Sequence, residues 1–444
     1  MSNRTVCVVG SGGREHALAW TLGRTAEVVV TPGNPGMPGR TPEGFAISVT
    51  PAPPVEVGAD LVVVGPEAPL VDGMADRLRS RGRRVVGPGA DGARLEGSKA
   101  FMKAMLAEAR VPTARFGVFG TLEEARTFLR TLPGPWVVKT DGLAAGKGVL
   151  VAASLEEAEA DVAAKLGGAF GDAGRRVVVE EGLSGPECSL MVLCDGQRVV
   201  PLAPAQDFKR LLDGDAGPNT GGMGACSPAL AVPPDLVDEV MSTAVEPLLA
   251  ALRVRGVDYR GVLYAGLMLT PEGPKVLEYN VRFGDPEAQV LLPRLLGDPV
   301  EVLAAVADGR LSSVCDGELE FSTDASVCVV MAADGYPVSP RSGDPIGGLD
   351  SVGQLVEPVE GVHVFHAGTR RDGPAGPFLT AGGRVLGVTA LASTLDEARG
   401  AAYRGAGRIS WEGAQFRRDI GTVIEPAEGR VGESVAGTAA GRDR

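Results

Sequence analysis

The chain of 444 residues has only three histidines and six cysteines, and neither kind is clustered in the sequence. No two cysteines have the Cys-x-x-Cys spacing, so the sequence indicates neither a disulfide framework nor a zinc site. His363 and His366 are three apart in a run typical of a strand, so their side chains would face opposite sides. A histidine-rich metal site is therefore not expected.

The sequence also lacks an excess of basic residues and any long apolar run. Its formal net charge of −13 argues against a nucleic-acid partner, because proteins that bind nucleic acids usually present a basic surface. No apolar run reaches the roughly 18 residues of a membrane span, and no basic segment followed by an apolar one opens the chain. We therefore expect a soluble, cytoplasmic protein whose anionic ligands bind in a locally basic pocket.

Apolar residues are plentiful, at 44%, and the length is typical of two to four domains of about 100–200 residues each. Strand-like and helix-like runs alternate along the chain, which predicts an α/β fold. The 63 glycines and 33 prolines are spread among these runs and indicate many turns instead of disorder.

The N-terminal stretch has the pattern of a βαβ unit with a glycine-rich turn. A buried strand over 5–10 leads through Gly10-Ser11-Gly12-Gly13-Arg14-Glu15-His16 into a helix over 15–24. Such a turn is a good phosphate cradle, and Arg14 favours a phosphorylated ligand. Glu15 replaces the last glycine of the dinucleotide fingerprint, and no acidic residue ends the next strand, so NAD or FAD is disfavoured. A tight turn with a purely structural role is the alternative.

A second ligand loop is predicted in the same region. The strand over 60–64 ends in Gly65-Pro66-Glu67, and ligands bind at the carboxyl ends of parallel strands. A helix over 70–81 follows this loop. Residues 50–59 are too few and too rich in proline to hold a crossover helix. Farther on, Ser98 is the predicted N-cap of a helix over 98–110.

Another glycine-rich loop lies between two predicted strands, 135–140 and 148–152. Its spacing is not that of a P-loop, because only three residues separate Gly142 from Gly146. We interpret the loop as a flexible flap laid over phosphates, with Lys139 touching them from the side.

The stretch from Lys275 to Glu287 carries the strongest indication of chemistry. Glu278, Asn280 and Arg282 alternate along a predicted strand and would point the same way. A carboxylate and an amide oxygen are hard ligands of the kind that Mg²⁺ takes while it also holds nucleotide phosphates. The Arg282 guanidinium could clamp a carboxylate or a phosphate with two hydrogen bonds. A strand–helix corner with a structural salt bridge is the alternative.

The helix after this strand is predicted over 286–296, with Asp285 as its N-cap and Pro286 at its first position. Its free N–H groups would then form an anion site next to the metal ligands.

The loop 217–225 is rich in glycine beside Asn and Thr, which suggests backbone packed against a ligand. A long surface loop without such a role is the alternative.

The remaining segments predict ordinary secondary structure. A hairpin of strands 186–194 and 198–204 precedes a helix over 234–254. Beyond residue 320 the sequence predicts three strands, over 326–332, 362–367 and 384–391, and a final helix over 394–409. These elements indicate a compact C-terminal cap without obvious catalytic residues. The segment Thr380-Ala381-Gly382-Gly383-Arg384 could lie beside the active site, although a hairpin turn is favoured there. The residues from about 427 are expected to be disordered.

With these pieces placed, the chain resembles the phosphoribosylamine–glycine ligase family of the ATP-grasp ligases. Long, distinct motifs carry the resemblance, stand in the family's order and span almost the whole chain: Gly12-Gly13-Arg14-Glu15-His16, Gly65-Pro66-Glu67-Ala68-Pro69-Leu70, Leu95-Glu96-Gly97-Ser98-Lys99, and the segments 141–149, 217–225 and 278–287.

The resemblance implies an ATP-grasp fold with an N-terminal Rossmann-like domain and a small C-terminal cap. The Rossmann-like domain would span 1–97. The ATP-grasp part would consist of a central domain, 98–114 and 186–322, and of a lid, 115–185. The C-terminal cap would span 323–426 and would be followed by the tail, 427–444. ATP would lie between the lid and the central domain.

The resemblance also implies roles for particular residues. Those implied to bind ATP are Lys99, Lys139, Gly142, Gly146, Lys147, Gly148, Glu180, Glu181, Leu183 and Glu187. Those implied to bind the phosphosugar and glycine are Gly12, Gly13, Arg14, Glu15, Gly65, Pro66, Glu67, Asn219, Thr220, Gly221, Gly222, Arg282 and Asp285. Lys139, Asp207 and Arg282 would be catalytic, and Glu278 and Asn280 would hold Mg²⁺ or Mn²⁺.

The implied reaction joins glycine to 5-phosphoribosylamine in purine biosynthesis. The glycine carboxylate would attack the γ-phosphate of ATP to give glycyl phosphate and ADP. The amine would then displace phosphate and give glycinamide ribonucleotide. The sequence has no convincing Ser-His-Asp or Cys-His set, which is consistent with chemistry based on positioning and charge neutralisation. The enzyme is expected to be a monomer.

Two departures from the family pattern stand out. Phe208 lies between Asp207 and Lys209 where the family usually has His, which questions any proton or hydrogen-bond role at that position. The segment 50–59 is shorter than the helix-bearing segment that the family tends to have there.

Three alternatives remain open at this point. Another ATP-grasp ligase, such as a biotin carboxylase or a carboxyaminoimidazole ribonucleotide synthase, would use a different carboxylate or amine. A nucleotide-binding regulatory protein would have lost catalysis. A Rossmann oxidoreductase would bind NAD.

Overall fold

The structure is a computed structural model that describes residues 4–144, 148–230, 232–233, 235–373 and 375–422. Its N-terminal part alternates strands and helices. In chain order these are β1 (Thr5–Gly10), α1 (Gly13–Leu22), β2 (Glu27–Pro32), β3 (Gly39–Arg40), β4 (Ala46–Val49), β5 (Leu61–Val64), α2 (Glu67–Val71), α3 (Met74–Arg79), β6 (Val85–Val86) and α4 (Ala90–Gly97).

The N-terminal sheet has the order β3-β4-β2-β1-β5-β6 and is parallel except for β3. The carboxyl ends of β1 and β5 are adjacent, so the two predicted ligand loops meet. The predicted helix over 70–81 is wrong, because Gly73 adopts a left-handed conformation (φ 76°) that separates α2 from α3. Helix α4 was not predicted. Residues 50–59 contain turns and no α-helix.

The segment implied to be the lid follows helix α5 (Lys99–Glu108). The predicted N-cap of this helix is confirmed: the Ser98 hydroxyl accepts a hydrogen bond from the backbone N–H of Phe101. The elements of the lid segment are β7 (Phe116–Phe119), α6 (Leu122–Leu129), β8 (Trp136–Thr140), β9 (Val149–Ala152), α7 (Leu155–Ala164) and β10 (Val177–Glu181). They form an antiparallel sheet of order β7-β10-β8-β9. The predicted strand-to-strand position of the flap is confirmed, because β8 and β9 are paired neighbours.

The central sheet is antiparallel and has the order β12-β11-β17-β18. The elements from this part of the chain are β11 (Glu187–Asp195), β12 (Val199–Pro201), β13 (Gln206–Asp207), β14 (Arg210–Leu212), β15 (Ala216–Asn219), β16 (Gly224–Ser227), α8 (Leu236–Val240), α9 (Glu246–Val254), β17 (Arg260–Thr270), β18 (Gly273–Asn280), α10 (Glu287–Leu291) and α11 (Pro299–Asp308). A π-helical turn over Met241–Val245 joins α8 to α9, so the predicted helix over 234–254 is irregular and begins at Leu236.

Strand β11 of the central sheet is buried on both faces. Leu190 and Val192 of β11 pack in the apolar core that α5, α8 and α9 share, whereas Met191 and Leu193 pack in the core beneath the N-terminal sheet. The alternation of side chains along the strand explains this division, since neighbours point to opposite faces.

The C-terminal elements are β19 (Ala325–Ala332), β20 (Val362–His366), β21 (Thr369–Arg371), β22 (Phe378–Thr380), β23 (Arg384–Ala392) and α12 (Leu395–Ala406). Their main sheet has the order β13-β16-β19-β23-β20, so two short strands from 206–227 join the C-terminal strands. This pairing brings Asp207 and the loop after it to the junction of the central and C-terminal parts.

The predicted helix over 286–296 is wrong in its length and its cap. Helix α10 covers Glu287–Leu291 and continues as a 3₁₀ turn, and its N-cap residue is Pro286. The Asp285 carboxylate does not cap the backbone; it accepts a hydrogen bond from Gln289 Nε2 at 2.8 Å. Among the described residues, no helix is long and apolar enough to cross a membrane. The predicted disordered tail lies outside the described residues.

Candidate active site

The predicted metal ligands lie at the end of β18. Glu278 pairs with Gly266 and Asn280 with Tyr264 across the sheet, and a register shift next to Gly266 leaves Leu277 as the extra residue. Burial raises the pKa of the Glu278 carboxyl, but four nearby cations outweigh that effect and bring the pKa down to about 2. These cations are Lys209, Lys99, Lys139 and Arg282. The carboxylate is therefore ionised at neutral pH and suited to a hard divalent cation.

The Arg282 guanidinium lies beside these ligands but is engaged by protein carboxylates. Its Nη2 is 2.7 Å from Glu96 Oε1, and its Nε is 3.3 Å from Glu67 Oε2. Burial acts to lower the pKa of Arg282, but Glu96 and Glu67 outweigh it and hold this pKa above its usual value. The Arg282 Nη2 also donates to Asn280 Oδ1 at 3.3 Å. A role in holding glycine stays a prediction.

Two acidic side chains lie on the other side of the site. Glu287 is buried, and its Oε1 accepts hydrogen bonds from the Tyr264 hydroxyl at 2.5 Å and from the Ser189 hydroxyl at 3.1 Å. Burial, together with the charge of Glu287, raises the pKa of Asp207 well above its usual value. The Asp207 Oδ1 is buried and has no hydrogen-bond partner among the described residues. An ammonium group would satisfy it.

The lysines predicted to bind phosphates approach Glu278 from two elements. Lys99 starts α5, and the structure shows no hydrogen bond or ion pair of its ammonium within the described residues. Lys139, on β8, donates to the Leu277 carbonyl at 3.1 Å and pairs with Glu180 at 3.0 Å. Lys139 therefore contacts the metal-ligand strand directly, and Lys99 lies near enough to help lower the pKa of Glu278.

The acidic residues implied to bind ATP lie at the end of β10 and at the start of β11. Glu180 is buried in ion pairs with lysines, so its carboxylate points into the protein. Glu181 Oε1 accepts from the backbone N–H of Arg115 at 2.9 Å, and Leu183 lies in the connection to β11. Glu187 pairs with Lys209 at 2.6 Å.

The N-terminal turn holds a carboxylate of its own. Glu15 Oε2 accepts from the Gly12 N–H at 2.6 Å, and a Cβ at Gly65 would lie 2.1 Å from Glu15 Oε1. Arg14 pairs with Glu15 at 2.6 Å and donates to the Phe283 carbonyl at 3.2 Å. The Glu15 side chain therefore leaves no room for a larger residue at 65 and joins the two N-terminal ligand loops. Gly12 lies beside Asp285 and Gly13 beside Gln289.

The loop 219–222 is fixed by its own threonine and by a C-terminal arginine. The Thr220 hydroxyl donates to the Lys209 carbonyl at 2.8 Å and accepts from the Gly222 N–H at 3.0 Å, whereas Asn219 is exposed. Arg384 donates to the carbonyls of Gly221 and Asp285 and lies 3.3 Å from the Asp285 carboxylate. The C-terminal part thus reaches the site, which the sequence interpretation did not favour.

Residues 145–147 of the flap, which include Gly146 and Lys147, lie outside the described residues. Gly142 lies before that gap and Gly148 directly after it, and a Cβ at either position would meet a neighbour closer than 3 Å. Gly142 therefore packs tightly against Ala173, and Gly148 against Thr140 and Ala144.

Phe208 does not face the site. Its side chain is buried in the C-terminal core, and the Arg417 guanidinium lies 5.2 Å from its ring centroid. Successive strand residues face opposite sides, so Asp207 points to the site and Phe208 away from it. The exchange of the family's His for Phe at this position concerns core packing.

The three histidines come together although the sequence separates them. The His16 ring centroid lies 5.8 Å from that of His363 and 5.9 Å from that of His366, and His16 Nδ1 accepts from the His366 N–H. Burial lowers the pKa of all three imidazoles. Within the described residues, no group of three or more His, Cys, Asp and Glu side chains could hold a metal ion.

Comparison with known proteins agrees with this architecture. Models of the phosphoribosylglycinamide synthetase N domain, ATP-grasp (A) domain and C domain match residues 4–96, 97–288 and 326–423. A phosphoribosylamine–glycine ligase of Allochromatium vinosum is 49% identical over 429 residues, which are 94% of this chain and 97% of the relative. The crystal structure of such a ligase from Thermotoga maritima superposes with a TM-score of 0.78 at 35% identity, covering 94% of this chain and 99% of that one.

A more distant structure shares the fold alone. The biotin carboxylase domain of Hydrogenobacter thermophilus 2-oxoglutarate carboxylase has a TM-score of 0.67 at 18% identity and covers 93% of this chain and 91% of its own. The fold and the site define an ATP-grasp ligase, a class that uses ATP and a divalent metal ion.

The chain belongs to the phosphoribosylglycinamide synthetase family, that is, to the phosphoribosylamine–glycine ligases. This membership confirms the predicted fold class and the predicted carbon–nitrogen ligase of purine biosynthesis, which acts on small molecules. It also decides against the oxidoreductase and against the other ATP-grasp ligases considered above.

Proposed function

We propose that this chain joins glycine to 5-phosphoribosylamine through a glycyl phosphate intermediate, with release of ADP and phosphate. The observation that carries the proposal is the cluster of cations around Glu278, which lowers the pKa of that carboxyl to about 2. A carboxylate is a poor electrophile until it is phosphorylated, and fixed positive charge favours the transfer of the γ-phosphate.

Glu278 and Asn280 would hold the divalent cation, Mg²⁺ or Mn²⁺. An ionised carboxylate and an amide oxygen on one strand end supply two oxygen ligands and leave positions for nucleotide phosphates and water. When bound, the cation supplies neutralisation of phosphate charge. Lys99 and Lys139 would contact the phosphates, and the lid, over 115–185, would cover them and exclude water from the acyl phosphate.

The two other substrates would lie on opposite sides of Arg282. The phosphosugar would contact the turn Gly12–Glu15 and the loop Gly65–Glu67. Glycine would lie near Asp207 and Arg282, where Glu287 adds a further buried negative charge for its ammonium group. The loop 219–222 and Asp285 would close this side. The family resemblance also supports a monomeric, cytoplasmic enzyme without nucleic-acid partners.

The test is ADP release with Mg²⁺, ATP, glycine and freshly generated phosphoribosylamine, with one component omitted at a time. We expect release to need both glycine and the phosphosugar amine, and mass spectrometry to show glycinamide ribonucleotide. Release that is indifferent to both would mean an ATP-grasp enzyme with another substrate. No release would favour a regulatory protein that has lost catalysis.

A further inference from the structure

A buried triad of charges crosses the boundary between the lid and the central domain. Lys103, on α5, lies with its Nζ 2.9 Å from Glu180 Oε2, and Lys139, on β8, lies with its Nζ 3.0 Å from Glu180 Oε1. The exposed fractions of Lys103, Glu180 and Lys139 are 0%, 1% and 6%. The carboxylate of β10 is therefore shared between one lysine of the central domain and one of the lid.

Both lysines are connected by hydrogen bonds to the strand that carries the predicted metal ligands, Lys103 through Thr113 and Lys139 directly. Lys103 Nζ donates to the Thr113 hydroxyl at 2.8 Å, and this hydroxyl donates to the Val276 carbonyl at 2.6 Å. Lys139 Nζ donates to the next carbonyl, that of Leu277, at 3.1 Å. Glu278 follows directly, so the triad lies immediately behind the predicted phosphate site.

The charges of the triad determine how strongly Glu180 attracts Lys139, and therefore how freely the Lys139 ammonium can contact a phosphate. With Lys103 present, two ammonium groups face one carboxylate and the net charge is positive. Without Lys103, Glu180 and Lys139 would form a neutral buried pair, and such a pair is held strongly because little water screens it. Lys139 would then be drawn toward Glu180 and away from a nucleotide.

We propose that Lys103 is a positioning residue for ATP, which neutralises Glu180 and so leaves the Lys139 ammonium free to contact the nucleotide phosphates. The proposal rests on the proposed function only in that ATP binds at this site. The Phe116 ring, 5.4 Å from the Lys103 ammonium, gives the cation a further favourable contact. The lowered pKa of Lys103, about 8 through burial, agrees with a cation whose charge depends on its partner Glu180.

The experiment compares KM values in variants of Lys103. We expect Lys103→Met to raise the KM for ATP about tenfold, the effect of one lost charge near the phosphates, and to leave the KM for glycine within about twofold. Lys103→Gln keeps hydrogen-bonding capacity toward Thr113 and Glu180 without the charge, so it should show the same change if the methionine variant does not fold. Binding of Mg²⁺–ATP measured by calorimetry, without the other substrates, keeps this test separate from the identity of the phosphate acceptor.

A double variant separates positioning from plain stabilisation. In Lys103→Met/Glu180→Gln no carboxylate remains to attract the Lys139 ammonium, so we expect the KM for ATP to lie clearly below that of Lys103→Met. Lys165→Gln is the matched control, because Lys165 is also buried in the lid and paired with Asp161 but lies outside the triad. Equal increases in the KM for ATP and for glycine, or a double variant no better than Lys103→Met, would overturn the proposal.

Discussion

Glu180 and Glu278 are two carboxylates close to the same lysine, Lys139, and they have opposite surroundings. Both have a lowered pKa, and in both burial opposes the effect of nearby lysines. Glu180 is fully enclosed and uses its two oxygens in two ion pairs. Glu278 is partly exposed, and the structure shows no hydrogen bond or ion pair of its carboxylate with any described residue.

The comparison distinguishes a structural charge from an available one. The Glu180 carboxylate is neutralised by two lysines at hydrogen-bond distance. Four cations near Glu278 keep its carboxyl group ionised, but none of them forms an ion pair with its oxygens. A low pKa alone does not identify a metal ligand; an ionised carboxylate with unoccupied oxygens is the more informative feature.

Glu278→Gln should give the largest loss of activity, because it removes the charged metal ligand. We expect kcat to fall by on the order of 1,000-fold, the size of effect seen when a charge stabilising a transition state is lost. The measurement is ADP release at saturating Mg²⁺ and substrates. Glu272→Gln, at the exposed turn of the same hairpin, is the control and should keep full activity; an unchanged kcat in Glu278→Gln would defeat the assignment.

Glu180→Gln should instead act mainly on stability. It leaves Lys103 buried without a carboxylate partner, which costs about 3 kcal/mol when one member of a buried pair is removed. Denaturant unfolding of this variant and of Glu278→Gln checks the comparison. A Glu278→Gln protein destabilised as much as Glu180→Gln would mean that both carboxylates are structural.

Arg14→Ala should weaken binding of the phosphosugar. We expect its KM to rise about tenfold while the KM for ATP stays unchanged, because one charge-assisted contact is worth roughly 1.4 kcal/mol in this setting. Steady-state kinetics with each substrate varied in turn provides the check. Equal changes in both constants would show that Arg14 serves only its contacts with Glu15 and Phe283.

Phe208→His should have the smallest effect on activity. The ring lies in the C-terminal core and away from Asp207, so we expect kcat within about twofold of wild type. Burial of a less apolar ring should cost about 1 kcal/mol of stability. Thermal unfolding together with ADP release measures both. A gain in kcat would show that the position faces the reaction after all.

Much of the site could be predicted because its residues are consecutive in the chain. The turn Gly10–Glu15 and the alternation of Glu278 with Asn280 need only the geometry of a strand and the turn after it. The helix over 286–296 was placed wrongly for a local reason: Asp285 and Pro286 are common at helix starts, but the Asp285 carboxylate is occupied by Gln289.

Lys103 was missed altogether, whereas Arg384 and Glu287 lie in segments that the sequence analysis named but were given no partner there. Arg384 lies 99 residues from Asp285, and Lys103 lies in an ordinary amphipathic helix. Glu287 looks like a favourable acidic residue in the first turn of a helix. The signal that could have helped is the charged type of Lys103 and Glu287 at positions that the helix pattern places inside.

The sequence by itself determined the order of elements, the ligand types at the end of β18 and the family, because these depend on short-range periodicity and on contiguous motifs. Only the tertiary structure decided which charged side chains form ion pairs within the protein and which remain free to bind a ligand. Glu96 and Glu180 pair with cations from other elements, and the Phe208 side chain packs in a core formed largely by strands of the C-terminal part. Ion pairing and burial depend on packing between segments that are distant in the chain, and no local sequence pattern predicts that packing.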